Sequence, residues 1–290
     1  MNRHVLFFLM FTFHVVFGQK GKVVLSDSIH SDILGRYVKY SVYLPPAYGV
    51  EGQTFPVTYL LHGLGGNERD YLEGFHLGVR LDSCIQAGGL PNMIIICPDG
   101  YRTFYTNDYK GDFRWEDFFM REFIPAMEKT YTIDTSREKR SLAGLSMGGY
   151  GAVKLAMKYP DRFSGASGMS AAIRNDEDMM GLTEAGWKER SFDKLFGEGV
   201  GRDSLTGNWY DNSVLRLAET KDTGALKNVR FWLDCGDDDY LDNGNYELHR
   251  ILKKRGVYHE YRVRDGGHEF NYWVTGILPA LQFIYRNSGK

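Results

Sequence analysis

A serine between two glycines is the residue of this chain with the clearest chemical potential. Ser146 lies at the centre of Gly-Leu-Ser-Met-Gly, residues 144–148, with a short strand-like run before it and helix-forming residues after it. This context predicts a strand, a sharp turn and a helix, with the serine hydroxyl exposed at the carboxyl end of the strand. The two glycines are expected because a Cβ at either position would crowd the turn. The pattern alone is weak, so its weight depends on partner residues elsewhere in the chain.

The first partner that a reactive serine needs is an imidazole that accepts its proton. His268 follows two glycines in the turn after the last predicted strand, at the sheet edge where Ser146 is expected. The other histidines fall in the N-terminal segment, in a helix, at a strand start or near the glycine-rich loop at residues 62–66. We therefore expect His268 to be the general base, and we expect His62 to shape the glycine-rich loop.

The second partner is a carboxylate that holds the imidazole. Asp237, Asp238 and Asp239 lie in the turn after the preceding strand, and the resulting order of serine, acid and histidine is that of one class of hydrolase. Only one aspartate needs to point inward, and we choose Asp239, with Asp238 as the alternative. The triplet does not fit a calcium loop, because Leu241 occupies a required ligand position when Gly244 is aligned.

Two backbone N–H groups are needed to hold the negative charge that develops on the substrate oxygen. Met147, directly after the serine, is expected to supply one, and Leu64, in the glycine-rich loop, the other. A phosphate-binding loop is the rival interpretation of these glycines. It fails because neither stretch ends in Gly-Lys-Ser or Gly-Lys-Thr. This machinery is complete without a metal or a cofactor, so none is expected.

The elements that must position these residues alternate along the chain. Short apolar runs alternate with segments of helical spacing, which predicts an α/β fold with a mostly parallel central sheet and helices on both faces. Residues 22–30 and 37–44 alternate apolar and polar positions, as an antiparallel opening pair would. Residues 171–225 break the rhythm and are polar with scattered aromatics. We expect them to form a cap-like excursion within a single domain over residues 19–290.

Bulk composition narrows the function classes. The chain has 290 residues and a net charge of −2, which gives no basic face for nucleic acid. Its hydrophobic share of 43% suffices for one large core. The three cysteines form no disulfide framework, and we expect small buried side chains, with one disulfide left open. The cysteines are Cys84, Cys97 and Cys235.

The N-terminal segment predicts export. Residues 1–18 combine a short positive start, an apolar run and a small residue before Gln19, which is typical of a secretory signal peptide. The apolar run is too short to span a bilayer, so no stable membrane insertion is expected after cleavage. We therefore expect a secreted or periplasmic protein; the oligomeric state stays open.

Several stretches together resemble the esterase D family, which includes S-formylglutathione hydrolases, tributyrin-type esterases and the feruloyl and acetylxylan esterases of carbohydrate esterase family 1. The resemblance implies the α/β-hydrolase fold. It also supports Asp239 as the acid, through the spacing Cys-Gly-x-x-Asp, and Leu64 and Met147 as oxyanion donors. The matching stretches are residues 59–67, 98–100, 144–149, 234–239 and 266–273.

The resulting expectation is an exported serine esterase that acts on short-chain, acetyl or hydroxycinnamoyl esters of carbohydrates, as small molecules or polysaccharides. Tyr105, Trp209 and Trp273 are expected to contact substrate. Three alternatives stay open: an S-formylglutathione hydrolase, which the signal peptide disfavours; an acyltransferase resembling mycolyltransferases; and a non-catalytic binding module. The last usually loses the serine or the histidine, and Ser146 and His268 are both present.

Overall fold

One eight-stranded sheet organises the molecule. The computed structural model describes residues 20–197 and 205–286, so the predicted signal peptide at 1–18 lies outside the described residues. The strands are β1 (Lys22–Ser31), β2 (Arg36–Leu44), β3 (Val57–Leu61), β4 (Ile94–Pro98), β5 (Arg140–Leu145), β6 (Gly165–Met169), β7 (Arg230–Gly236) and β8 (His259–Arg264). Their order in the sheet is β1-β2-β4-β3-β5-β6-β7-β8. The pairs β1–β2 and β2–β4 are antiparallel, and the remaining neighbours are parallel.

Helices connect the parallel strands and cover both faces of the sheet, as the sequence predicts. Single turns of π-helix at Asp70–Gly74 and Phe119–Phe123 and of 3₁₀-helix at Arg137–Lys139 complete the connections. The α-helices outside the cap are α1 (Leu77–Gln86), α2 (Trp115–Phe118), α3 (Ile124–Thr130), α4 (Met147–Lys158), α11 (Asp242–Lys254) and α12 (Phe270–Tyr285), and those of the cap are α5 (Asp176–Met180), α6 (Glu184–Glu189), α7 (Phe192–Phe196), α8 (Gly207–Asn212), α9 (Val214–Thr220) and α10 (Thr223–Lys227).

Two apolar cores lie on opposite sides of the sheet. Neighbouring strand residues point to opposite faces, so Tyr59 and Leu61 enter the larger core while Leu60 enters the smaller one. The helices α2, α3 and α4 pack on the larger core, and α1 and α12 pack on the smaller one. Among the described residues, no helix has the length and apolar character needed to cross a bilayer. The three cysteines are free, and two of them are fully buried.

The described part of the excursion over residues 171–225 consists of short helices joined by turns and irregular stretches, and its aromatic side chains pack against other rings. Trp187 packs edge-on against Phe192 at 5.4 Å between ring centroids, and Phe192 packs against Phe104 of the main body at 4.9 Å. Phe196 and Trp209 form a further edge contact at 5.3 Å. These rings belong to the larger core. The segment is therefore anchored to the body of the protein by buried aromatic side chains.

A buried ion pair links α4 to α2. Lys154 is fully buried, and its ammonium group donates to the carboxylate of Glu116 at 2.8 Å. Lys158 lies 2.6 Å from the other carboxylate oxygen, and Tyr159 donates to the same oxygen at 2.8 Å. Burial alone would raise the pKa of Glu116, but the two lysines lower that pKa from 4.5 to about 2. Glu116 is therefore ionised wherever the protein is folded near neutral pH.

We predict that Glu116→Gln destabilises the protein at pH 7 by about 3 to 5 kcal/mol, because Lys154 loses its buried counter-charge. The pKa of Glu116 is lower in the folded state, so its contribution is present above about pH 4.5 and is lost as the pH falls towards 2. The difference between wild type and variant should therefore shrink in acid. The free energies of unfolding of wild type and variant, measured in urea at pH 7 and at pH 3, give this difference.

The matched control is Glu138→Gln, which removes an exposed carboxylate that lies 3.7 Å from Arg137. Such a surface pair contributes about 0 to 1 kcal/mol, so this variant should unfold close to wild type at pH 7. A Glu116→Gln deficit of equal size at pH 7 and pH 3 would show that shape, and not charge, accounts for the loss.

Candidate active site

Ser146 occupies a strained turn between β5 and α4. Its φ of 52° and ψ of −118° lie in a backbone region that residues other than glycine rarely adopt. The amide of Ser146 donates to the carbonyl of Met169 at 2.9 Å. The flanking glycines are required by close packing. A Cβ on Gly148 would lie 1.9 Å from the carbonyl oxygen of Leu61, and one on Gly144 would lie 2.4 Å from the Gly148 carbonyl carbon. The predicted strand–turn–helix is thus present at these residues.

The structure brings the predicted serine, histidine and acid together. His268 Nε2 lies 2.9 Å from Ser146 Oγ, and His268 Nδ1 lies 2.9 Å and 3.1 Å from the carboxylate oxygens of Asp239. Parallel strands place all three residues at one sheet edge, because the loops after β5, β7 and β8 open on the same side. The three side chains form one continuous hydrogen-bonded relay.

The carboxylate of Asp239 is buried and hydrogen-bonded. Burial would raise its pKa, but the hydrogen bonds from His268 and from the Leu241 amide, at 2.9 Å, hold that pKa below its ordinary value. An ionised Asp239 accepts from Nδ1–H, which leaves Nε2 of a neutral imidazole free to accept the serine proton. The geometry thus supports general-base chemistry at Ser146.

The neighbouring aspartates are placed differently. Asp237 and Asp238 are exposed and lie with Asp265 in a cluster in which one carboxylate oxygen from each residue is within 4.8 Å of the others. Asp237 also accepts from the amide of Gly266 at 3.1 Å. Of the three consecutive aspartates, only Asp239 hydrogen-bonds to the imidazole among the described residues.

The two predicted oxyanion donors border the same site. Met147 is the first residue of α4, so its amide has no hydrogen-bond acceptor within its own helix. Leu64 lines the cavity above Ser146. Tyr71 joins the strand ends that carry these residues, because its hydroxyl donates to Leu61 O at 2.9 Å and accepts from Leu145 N at 3.1 Å. Sequence reasoning did not identify Tyr71, since a tyrosine in a connecting segment gives no signal of this role.

His62 holds the glycine-rich loop, in the role that the sequence predicts for it. Its Nε2 accepts from the amide of Gly100 at 2.8 Å, so Nδ1 carries the proton and donates to Gly63 O at 2.8 Å. The ring is buried, and among the described residues no hydrogen bond joins it to Ser146. It ties the loop after β3 to the loop after β4 and thereby sets the backbone that presents Leu64.

A cavity of about 540 Å³ opens above Ser146 and His268, a size typical of small-molecule sites. Part of its wall is apolar and aromatic, and part is charged. The charged residues lie in the segment after β6, in the cap and in the π-helical turn after β3, and sequence analysis did not identify them. The apolar lining includes Leu64, Tyr71, Phe75, Phe104, Phe192, Phe270 and Trp273, and the polar lining includes Asp70, Arg174, Glu189, Arg190 and Tyr240.

Of the three aromatic side chains expected at the substrate, only Trp273 lines this cavity. Its ring meets that of His268 edge-on, at 4.9 Å between centroids. Tyr105 is fully buried, and its hydroxyl donates to His62 O at 2.6 Å. This hydrogen bond stabilises the glycine-rich loop after β3. Trp209 is buried in the cap, where its indole N–H donates to Asp176 at 2.8 Å. The expectation for Tyr105 and Trp209 is corrected, because both rings are in the core.

Comparisons with known proteins agree with this architecture. The Esterase family model, described as "Putative esterase", matches residues 31–284. The acetyl esterase of Caldicellulosiruptor saccharolyticus is 28% identical over 82% of this chain and 86% of its own length. The endo-1,4-beta-xylanase/feruloyl esterase of Xylanibacter ruminicola is 33% identical over 88% of this chain, which spans 30% of that longer protein.

A solved ferulic acid esterase superposes with a TM-score of 0.78 at 30% identity, over 92% of this chain and 98% of that one. A second ferulic acid esterase, from Anaeromyces mucronatus, was solved with ferulic acid and superposes with a TM-score of 0.63 at 22% identity, which shows the shared fold. It covers 90% of this chain and 89% of the other. The chain therefore belongs to the esterase family, has the α/β-hydrolase fold and is a serine carboxylic-ester hydrolase.

Proposed function

We propose that Ser146, His268 and Asp239 form the catalytic triad of an exported esterase that releases short acyl or hydroxycinnamoyl groups from carbohydrate esters. The observation that carries the proposal is the hydrogen-bonded relay, with Asp239–His268 and His268–Ser146 distances of 2.9 Å at the floor of the cavity. The predicted signal peptide supports export. The similarity to acetyl and ferulic acid esterases supports the substrate class.

In this mechanism His268 Nε2 accepts the hydroxyl proton while Ser146 Oγ attacks the ester carbonyl carbon. The carbonyl oxygen becomes an oxyanion, which the amides of Leu64 and Met147 stabilise. The C–O bond to the alcohol then breaks, and the imidazolium gives its proton to the departing alkoxide. Water, deprotonated by His268, next attacks the carbonyl carbon of the acyl-enzyme; the bond to Ser146 Oγ breaks, the acid is released, and the imidazolium returns its proton to Ser146 Oγ. Asp239 holds the imidazole in the required tautomer and stabilises its charged form.

The cavity wall supports small or aromatic acyl groups. The rings of Phe75 and Phe270 pack edge-on, with 4.6 Å between their centroids, and the ring of Trp273 packs edge-on against the imidazole of His268. Aromatic contacts of this kind contribute about 0.5 to 1.5 kcal/mol beyond the buried area. The cap contributes Phe192, which is anchored in the core, and the charged residues Glu189 and Arg190 to the cavity wall. A lipase lid would instead present a continuous apolar helix face.

We predict that Ser146→Ala lowers kcat by about 10⁴- to 10⁶-fold while the protein stays folded, because the triad acts as a unit. A fluorophosphonate probe should label the wild type and not the variant. The matched control is Ser167→Ala, which removes a buried hydroxyl on β6, and this variant should keep the label. Ser146→Ala turnover above about a tenth of wild type would move the nucleophile elsewhere.

We predict that Asp239→Asn lowers kcat by about 10⁴-fold, because an amide in place of the carboxylate favours the wrong imidazole tautomer. The measurement is kcat for one acetyl ester. Asp237→Asn is the natural control, since that exposed side chain lies two residues away and accepts from the amide of Gly266, with no hydrogen bond to the imidazole among the described residues. It should stay within a few-fold of wild type, and a larger loss in Asp237→Asn than in Asp239→Asn would reassign the acid.

We predict that kcat/KM is higher for acetyl and feruloyl esters than for palmitoyl esters of the same alcohol. The wall of the cavity of about 540 Å³ is apolar on one part and charged on another, so a short or aromatic acyl group can stay on the apolar part, whereas a sixteen-carbon chain would also cover charged side chains and remove them from water. The test compares acetyl, butyryl, feruloyl and palmitoyl esters of one leaving group. A palmitoyl optimum with interfacial activation would indicate a lipase and would contradict the glycan-ester proposal.

A further inference from the structure

Two arginines stand in the wall of the cavity that contains Ser146 and His268. Arg174 lies in the segment after β6, and Arg190 follows α6 in the cap. Hydrolysis of a neutral ester at Ser146 does not require either cation, because the negative charge of that reaction develops at the oxyanion site beside Leu64 and Met147. The two cations are therefore available to bind a group of the substrate away from the reacting bond.

The two arginines differ in how they are satisfied. Arg190 donates to the carbonyl of Gly186 at 2.9 Å and lies 3.6 Å from the largely exposed carboxylate of Glu189. Arg174 forms no hydrogen bond and no ion pair with any residue in 20–197 or 205–286, although its side chain is partly buried. Burial, and then the charge of Arg190, lower the pKa of Arg174, which nevertheless stays protonated because arginine titrates far above neutral pH.

The guanidinium of Arg174 is only partly buried, and its N–H donors have no acceptor among the described residues, so a ligand in the cavity can use them. The ligand that suits an arginine best is a planar oxyanion, which it binds through two parallel N–H donors. The cavity offers Arg174 space for such a ligand, and Arg190 adds a second positive charge beside it. The carboxylates of Asp70 and Glu189 also line the cavity, and neither is joined to Arg174 by a hydrogen bond or ion pair among the described residues.

We propose that Arg174, assisted by Arg190, forms a subsite for a carboxylate carried by the ester substrate. This inference rests on the proposed function, because it names a chemical feature of the substrate that Ser146 would attack. The carboxylate has two sources: the acyl half, as in the half-ester of a dicarboxylic acid, or the alcohol half, as in an esterified uronic acid. In both cases the charged substrate binds more tightly than its neutral counterpart of the same size.

Paired substrates that differ only in this charge test the proposal. The acyl arm compares the mono-4-nitrophenyl ester of adipic acid with 4-nitrophenyl hexanoate. The alcohol arm compares the 2-O-acetyl ester of methyl glucuronoside with that of methyl glucoside. The readout is the charged-to-neutral ratio of kcat/KM in each arm, corrected for hydrolysis without enzyme. The wild type should prefer the charged member about 10-fold or more in one arm, and that arm identifies the source of the carboxylate.

Variants then assign the preference to its residue. In Arg174→Gln the charged-to-neutral ratio should fall by about 10- to 100-fold, the effect of losing a hydrogen bond to a charged group. Arg174→Lys keeps the charge without the planar fork and should restore part of the ratio. The matched control is Arg216→Gln, which removes an exposed cap cation that stacks on Tyr210 outside the cavity. This control should leave the ratio at its wild-type value.

The outcomes separate the subsite from the underlying activity. Wild-type ratios near one in both arms, or a ratio that Arg174→Gln does not change, would overturn the subsite while Ser146-dependent hydrolysis of the neutral esters continues. An equal loss for charged and neutral substrates in Arg174→Gln would likewise overturn it and make Arg174 structural. Absence of all Ser146-dependent hydrolysis in the wild type would overturn the proposed function, and the subsite with it.

Discussion

The site depends on how closely the start of α4 approaches the end of β3. The backbone of Gly148 lies so near the carbonyl of Leu61 that a Cβ there would come within 1.9 Å of the oxygen. Only glycine permits this contact, and the contact forces the sharp turn in which Ser146 takes a positive φ. The same approach brings the amide of Met147 next to the loop that carries Leu64. The positions of the proposed nucleophile and of the proposed oxyanion donors therefore follow from one packing constraint.

That constraint is maintained by buried polar groups on both sides of the turn. Tyr71 connects the ends of β3 and β5, and His62 connects the loops after β3 and β4. Lys154 anchors α4 through Glu116 and also donates to the carbonyl of Tyr105 at 2.8 Å. Each of these groups is fully buried and hydrogen-bonded, so a shift of one element would leave a polar group unpaired at a cost of about 1 to 3 kcal/mol. The loops are thereby held in one arrangement.

The fold class and the relay were predictable from the sequence because their signals are local or ordered. Ser146 lies in a motif typical of a strand, a sharp turn and a helix, and Asp239 and His268 follow strands whose ends must meet at one sheet edge. The roles of Tyr105 and Trp209 were not predictable, because aromatic residues serve in cores and in binding walls alike. Which side a ring faces depends on packing between distant segments, and neither composition nor periodicity contains that information.

The cap explains why the substrate is harder to predict than the reaction. Trp187 and Phe192 are buried anchors on either side of Glu189 and Arg190, which line the cavity. Because the anchors carry the packing energy, the residues between them can change without loss of the fold. The residues of the hydrogen-bonded relay follow the ends of strands, whereas Glu189 and Arg190, two of the charged residues of the cavity wall, lie on this connection. Reaction and specificity are thus encoded in parts of the chain under different physical constraints.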